Sequence, residues 1–115
     1  MEFKASHRFA RMSARKIRPV ANLIRGKFVD EALDILRYQP QRGARMIEKV
    51  IKSAVANAQD SDQNPGRIVD VRNLLLAEIR VDGAPMYKRI QPRARGVAML
   101  IKKRMSHISV KVQEI

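Results

Sequence analysis

Cysteine and tryptophan are absent from the 115 residues, and aromatic side chains make up 4% of them. Without thiols there is no disulfide framework, no thiolate zinc site and no cysteine nucleophile, a composition that suits a reducing cytoplasm. With so few rings the chain has little on which to stack unpaired bases. Long apolar runs are missing too: the longest, residues 97–101, falls far short of the roughly 20 needed to span a membrane. The opening Met-Glu-Phe-Lys-Ala-Ser-His-Arg lacks the apolar centre of a secretory signal, so no membrane partner and no export are expected. Glycine-rich phosphate loops of nucleotide enzymes are also lacking.

Acidic residues are scarce, and unevenly so. Against 24 Lys and Arg stand 11 Asp and Glu, a net charge of +13. Residues 1–28 carry eight bases against Glu2 alone, a net +7, and residues 87–104 carry seven bases and no acid, again +7. The remaining nine bases meet ten acids, a net −1. A compact body with two such basic segments repels itself unless a polyanion relieves it. Hydrophobic residues at 45% are too many for a disordered basic tail, so the chain is expected to fold. Its length suits one domain, 1–115.

The near-neutral middle reads as helical. After Ser13, a candidate N-cap, Ile17, Val20, Ala21 and Ile24 recur at the spacing of one helix face, with Gly26 placed to end it. Pro19 conflicts with an uninterrupted helix, and a kink or a start nearer Arg18 would resolve that. Val29, Ala32, Leu33 and Leu36 form a second, short helix stopped near Pro40. A third stripe, Ile47, Val50, Ile51, Ala54, Val55 and Ala58, runs along roughly 18 residues. The polar segment 60–66 reads as a solvated loop. Its Asp60, Asp62 and Asn64 have calcium-loop spacing, but Pro65 and Val71 occupy the positions where such a loop needs glycine and a bidentate glutamate.

Beyond this loop the period drops to two. Leu75, Ala77, Ile79 and Val81 alternate with polar residues, as do Ile108, Val110 and Val112, which predicts two antiparallel strands. Pairing them puts the hairpin midpoint near Arg93 and its tip at Pro92-Arg-Ala-Arg-Gly96. Each strand then has about 17 residues, on the order of 55 Å when extended. The expected fold is α+β: a three-helix body on a small antiparallel sheet, with a long protruding β-hairpin. The body is assigned to about 1–81 and 106–115, the arm to about 82–105.

Arginine forks and lysine ammoniums along such an arm suit backbone phosphates on both sides of it. Lys88, Arg89, Arg93, Arg95, Lys102, Lys103 and Arg104 are the candidate contacts there. Met86, Tyr87, Ile90, Met99 and Leu100 lie among them, and a solvated arm of that composition would be prone to aggregate. Arg8, Arg11, Arg15, Lys16 and Arg18 surround the start of the first helix, where the helix dipole also favours phosphate. His7 and His107 have no nucleophile or metal spacing; His107 is read as a strand residue facing RNA or solvent, and no catalytic residue, metal or cofactor is expected. Composition alone leaves a DNA-bending protein with basic β-arms as an alternative.

Colinear segments narrow the choice. Ser13-Ala-Arg-Lys-Ile-Arg18, Leu23-Ile-Arg-Gly26, Ala32-Leu-Asp-Ile-Leu-Arg-Tyr38, Ser53-Ala-Val-Ala-Asn-Ala58, Lys88-Arg89, Pro92-Arg-Ala-Arg-Gly96 and Lys103-Arg104 with Ser106-His-Ile108 closely resemble the family of large-subunit ribosomal protein twenty-two, of bacterial and organellar type. The resemblance implies a structural ribosomal protein that binds large-subunit rRNA early in assembly. Its body would lie at the subunit surface near the exit of the peptide tunnel, beside neighbouring ribosomal proteins and as a monomer. Its hairpin tip would reach the tunnel wall, near the nascent peptide and the place where macrolides lodge. Carried over by position, Met86, Lys88, Arg89, Pro92, Arg93, Arg95 and Gly96 are expected at the tunnel tip, and Arg15, Lys16, Arg18 and Arg25 on RNA at the body. The chain departs from the family pattern at Gly83-Ala84, at Val97, where arginine is common, and at Met105, where threonine is common.

Overall fold

The structure is a computed structural model that describes residues 2–60 and 69–115. In chain order it comprises β1 (Glu2–Ala10), α1 (Ala14–Ile24), α2 (Val29–Arg37), α3 (Arg42–Gln59), β2 (Leu74–Pro92) and β3 (Ala98–Glu114). The strands form one antiparallel sheet in the order β1-β3-β2, with the helices against it. This is the α+β architecture that the alternation of helical and strand periods predicts. The polar loop and its calcium-like spacing lie, Asp60 apart, outside the described residues.

Each helix buries most of the stripe that its sequence spacing marks, with Leu33 of α2 and Val55 of α3 only half-buried at its edge. Ile17, Val20, Ala21 and Ile24 of α1 are buried, as are Val29, Ala32 and Leu36 of α2, and Ile47, Val50, Ile51, Ala54 and Ala58 of α3. They meet Leu74, Leu76, Ile79, Val81, Ile108, Val110 and Val112 of the sheet in one apolar cluster. Helix α1 begins at Ala14 and continues through Pro19, which lies on the exposed face. The later start near Arg18 does not form, although Pro19 has no N–H to give the Arg15 carbonyl. Gly26 closes the connection with a φ of 77°, a conformation open to a residue without Cβ. At Gly43 a Cβ would lie 3.5 Å from Ile17 Cγ1 and 3.6 Å from the Met12 sulfur, so the starts of α1 and α3 pack closely there.

The strands hold three departures from simple alternation. On β2, Leu76 pairs with Val112 but Glu78 with Lys111, so a bulge adds one residue to β2. The inward phase consequently changes from Leu74 and Leu76 to Ile79 and Val81, while Ala77 is exposed and Leu75 half-buried. The expected inward row Leu75–Ala77–Ile79–Val81 is thus corrected at its first two members. A second added residue lies between Ala84 and Tyr87. These two bulges, together with a register that starts at Leu74↔Glu114, move the hairpin centre from Arg93 to Arg95.

The third departure lies in β1, a strand that periodicity does not reveal. Between His7 and Ala10 the register shifts, and Phe9 takes a φ of 59°, rare for a bulky residue. Its N–H donates to His107 Nδ1 at 3.0 Å, and its ring meets the imidazole edge-on at 4.8 Å. Ser106, buried on β3, donates its hydroxyl to the Met12 carbonyl at 2.9 Å and ties the strand to the approach to α1.

Beyond Val81 on β2 and before Ser106 on β3, no residue of the hairpin is fully buried. The molecule measures 67 × 28 × 16 Å with a radius of gyration of 17.5 Å. A compact chain of this length has about 13 Å. The difference is the projecting arm.

Candidate nucleic-acid interface

No acidic residue occurs from residue 83 to residue 113, which includes the projecting part of the hairpin beyond Asp82. Side chains alternate between its two faces. Lys88↔Lys102, Ile90↔Leu100 and Pro92↔Ala98 are directly opposed on one face, and Tyr87↔Lys103, Arg89↔Ile101 and Gln91↔Met99 on the other. Two ammoniums directly across a strand pair repel, and the arm contains no carboxylate to separate them. An anion from outside is what would relieve Lys88 and Lys102. Arg89 lies over the Tyr87 ring at 5.1 Å, which holds its guanidinium on the other face.

At the tip, the Arg93 N–H donates to the Val97 carbonyl at 2.7 Å and closes a turn over Ala94–Gly96. Arg95 has φ 60° and ψ 30° and Gly96 has φ 70°. The left-handed conformation costs a non-glycine residue about 1–2 kcal/mol. Here it presents a guanidinium at the end of the arm. Met86, Tyr87, Ile90, Val97, Met99 and Leu100 are exposed along the same arm.

The arm's root gathers bases that are distant in sequence. One hollow of about 490 Å³ is lined by Arg11, Met12, Ser13, Lys16, Arg42, Lys102 and Arg104. A second, of about 470 Å³, lies between Arg15 and Arg18 of α1 and Gly83, Ala84, Met86 and Arg104 of the arm. A third, of about 510 Å³, is bordered by Arg11, Tyr87, Arg89, Lys103 and Arg104. Arg104 lines all three, so they form one basic belt around the root. Arg42 belongs to this belt although the sequence gives no sign of it. It lies in the near-neutral middle of the chain, where a charge tally by segment hides a single base.

Other candidate residues are engaged within the body. In the order β1-β3-β2, β2 is an edge strand, and unpaired edge carbonyls invite further strands. Arg18 donates from Nε and Nη2 to the Val81 carbonyl at 3.2 and 3.1 Å, and Arg25 from Nη1 to the Ile79 carbonyl at 2.9 Å. Asn57 of α3 covers the opposite edge by donating to the Lys4 carbonyl at 2.8 Å. Arg8 lies over the Phe9 ring at 5.7 Å. His107 is half-buried and turns Nδ1 to Phe9, leaving Nε2 as the nitrogen that carries the proton in the neutral ring. Lys88, Arg93 and Arg95 stand apart from the root, out on the arm.

Several of the body's acids are held by their own neighbours. Glu48 contacts Arg45 at 2.6 Å and Lys52 at 3.2 Å, and the Lys52 hydrogen bond holds its carboxyl below the ordinary glutamate range. Asp70 is lowered likewise by Arg72, and Lys111 is shared between Glu2 and Glu78. Among the described residues, no group of three or more His, Asp or Glu is placed to hold a metal. No helix among them is long and apolar enough to cross a membrane.

These features define a class: a basic α+β protein whose body carries a two-stranded arm with a cationic belt at its root. Residues 5–113 match the family described as Ribosomal protein L22p/L17e. The large ribosomal subunit protein uL22 of Rhodopirellula baltica is 64% identical over 114 residues, which cover 99% of this chain and 96% of that one. The proteins of the same name from Maridesulfovibrio salexigens and Caldicellulosiruptor saccharolyticus are each 51% identical, over 115 residues (all of both chains) and 110 residues (96% of this chain, 86% of the relative). The chain belongs to the ribosomal protein L22p/L17e family. It is a structural constituent of the large ribosomal subunit, and its family is not one of enzymes.

Proposed function

We propose that the chain binds folded large-subunit rRNA through the belt at the arm's root and along both faces of the arm. Its tip would lie in the wall of the nascent-peptide tunnel. The observation that carries this reading is the arm itself, a hairpin with no acid beyond Asp82 on its way to the tip and back to Ser106 and with two opposed lysines, projecting from a body too small to cover it. Phosphate neutralisation supplies the affinity, and the spacing of bases set by the hairpin register supplies recognition of RNA shape. The exposed apolar residues interleaved with the bases would then be covered by RNA, by neighbouring ribosomal proteins, or at the tip by the passing peptide. In this reading the chain acts as a monomer within the subunit and assists its assembly.

Two measurements test it. The chain should sediment with large subunits at moderate salt, and recovery chiefly with chromosomal DNA would overturn the reading in favour of a DNA-bending protein. Replacing Lys88, Arg89, Arg93 and Arg95 together by alanine should flatten the salt dependence of rRNA binding, by about 0.7–0.9 in log–log slope for each phosphate no longer neutralised. An unchanged slope would place those side chains away from phosphate.

A further inference from the structure

We propose that the hollow between the starts of α1 and α3 and the base of β3 is a built anion site for converging RNA phosphates, and that Arg42 is one of its ligands. This rests on the rRNA-binding reading above and adds to it a site whose parts come from three separate segments.

Three features of the hollow agree. The first is side-chain charge. Arg11, Lys16, Arg42, Lys102 and Arg104 surround it, its other lining residues are Met12 and Ser13, and no acid takes part. None of the five bases is joined to an acid by an ion pair among the described residues.

The second is the backbone. Ser13, the N-cap of α1, lines the hollow, and Arg42, the first residue of α3, lines it from the other side. Neither helix start receives a side-chain hydrogen bond from its cap residue, and neither has an acid in its first turn. Helix α2 differs, with Asp30 and Glu31 in its first turn. The N–H groups at the starts of α1 and α3 thus add partial positive charge to that of the five side chains, with no carboxylate to oppose it.

The third is close packing. Gly43 lies against Ile17 and the Met12 sulfur, which fixes the two helix starts as neighbours, and Ser106 anchors β3 to the Met12 carbonyl. The bases therefore project from three elements that are themselves held in place.

The charge count indicates what the site takes. One phosphodiester carries a single negative charge and would leave five cations mostly uncompensated. The fit is to phosphates from two strand segments that approach each other, an arrangement found in folded RNA, where crowded backbones repel. On this account the hollow clamps a junction, while the arm follows a path beyond it. The shared chemistry, phosphate oxygens in close pairs, could also come from a free polyphosphate, and the test separates the two sources.

The test uses the full-length chain as wild type, Arg42→Ala, Arg42→Lys and, as a control on the exposed side of α3, Lys49→Ala. Arg42 is exposed and forms no ion pair among the described residues, so the urea midpoint of each variant should match wild type. In binding to large-subunit rRNA, Arg42→Ala should lower the log–log salt slope by about 0.7–0.9, Arg42→Lys should restore most of it, and Lys49→Ala should leave it unchanged. A wild-type slope for Arg42→Ala would overturn the proposal. If the fourfold arm variant nevertheless lost slope, the general rRNA reading would stand; if that variant also kept its slope, the arm's share of that reading would fail with it. In a parallel titration with pyrophosphate, the backbone amides of residues 13–16 and 42–44 should shift in the wild type and less in Arg42→Ala. Saturation by pyrophosphate combined with an rRNA slope indifferent to Arg42 would identify a free polyphosphate site and refute the RNA assignment.

Discussion

Arg18 and Arg25 provide a separation of folding from binding, because both belong to the basic N-terminal segment yet donate to carbonyls of the β2 edge. Arg18 places two N–H groups on the Val81 oxygen and Arg25 one on the Ile79 oxygen. Hydrogen bonds from charged donors contribute about 1.5–3 kcal/mol when sheltered. These are part-buried and water can replace the donors, so about 1 kcal/mol each is the appropriate scale, and about 2 kcal/mol for the pair. With an unfolding entropy of about 2.1 cal/mol/K per residue, a domain of this length loses about 4 °C of Tm per kcal/mol, so Arg18→Ala/Arg25→Ala should melt about 8 °C lower. The assay is urea and thermal unfolding of the free chain. Arg18→Lys, which retains charge but not the forked geometry, should lose part of the Arg18 contribution while keeping its share of the rRNA salt slope. Unfolding curves for the double alanine variant that superimpose on wild type would refute the edge-cover argument and leave both residues to RNA alone.

Three more outcomes follow from particular side chains. His107→Asn, which retains an acceptor near the Phe9 N–H, should preserve the β1 bulge better than His107→Phe, read by hydrogen exchange at Phe9; equal protection in both would deny the imidazole its latching role. Arg95→Gly should relieve the left-handed strain at the tip by about 1 kcal/mol while removing a cation. Hairpin exchange rates should then fall or hold while rRNA salt dependence weakens, and faster exchange would show that the arginine stabilises the turn. Glu48, lowered from 4.5, gains from Lys52 and Arg45 only when ionised, so its small contribution is in place above about pH 4.5 and fades as pH falls through its lowered value. Glu48→Gln should remove that part of the acid sensitivity, and identical acid-unfolding profiles would exclude it.

Helices α1, α2 and α3 are legible in the sequence because each buries one stripe at a local spacing of three and four residues, and that stripe survives whatever it packs against. The strand β3 is legible for the same reason at a period of two. Where the period is broken, the sequence misleads: the bulge at Ala77 shifts the inward row of β2, and β1 hides behind the turn at Phe9. Charge segments point to the arm and to the N-terminal run, but a tally along the chain cannot show which bases meet. Arg42 is invisible to it, and Arg18 and Arg25 look identical to neighbours that do quite different work.

Residue type and near-neighbour spacing were enough to establish the α+β class, the three apolar stripes, the length of the hairpin and the absence of acids from its far part, residues 87–104. The register, the centring of the tip on Arg95, the use of Arg18 and Arg25 as edge cover and the gathering of Arg11, Lys16, Arg42, Lys102 and Arg104 at the arm's root emerge only in the folded molecule. Those depend on contacts between residues tens of positions apart, which are set when the helices close on the sheet and each edge carbonyl and buried hydroxyl must find a donor or an acceptor.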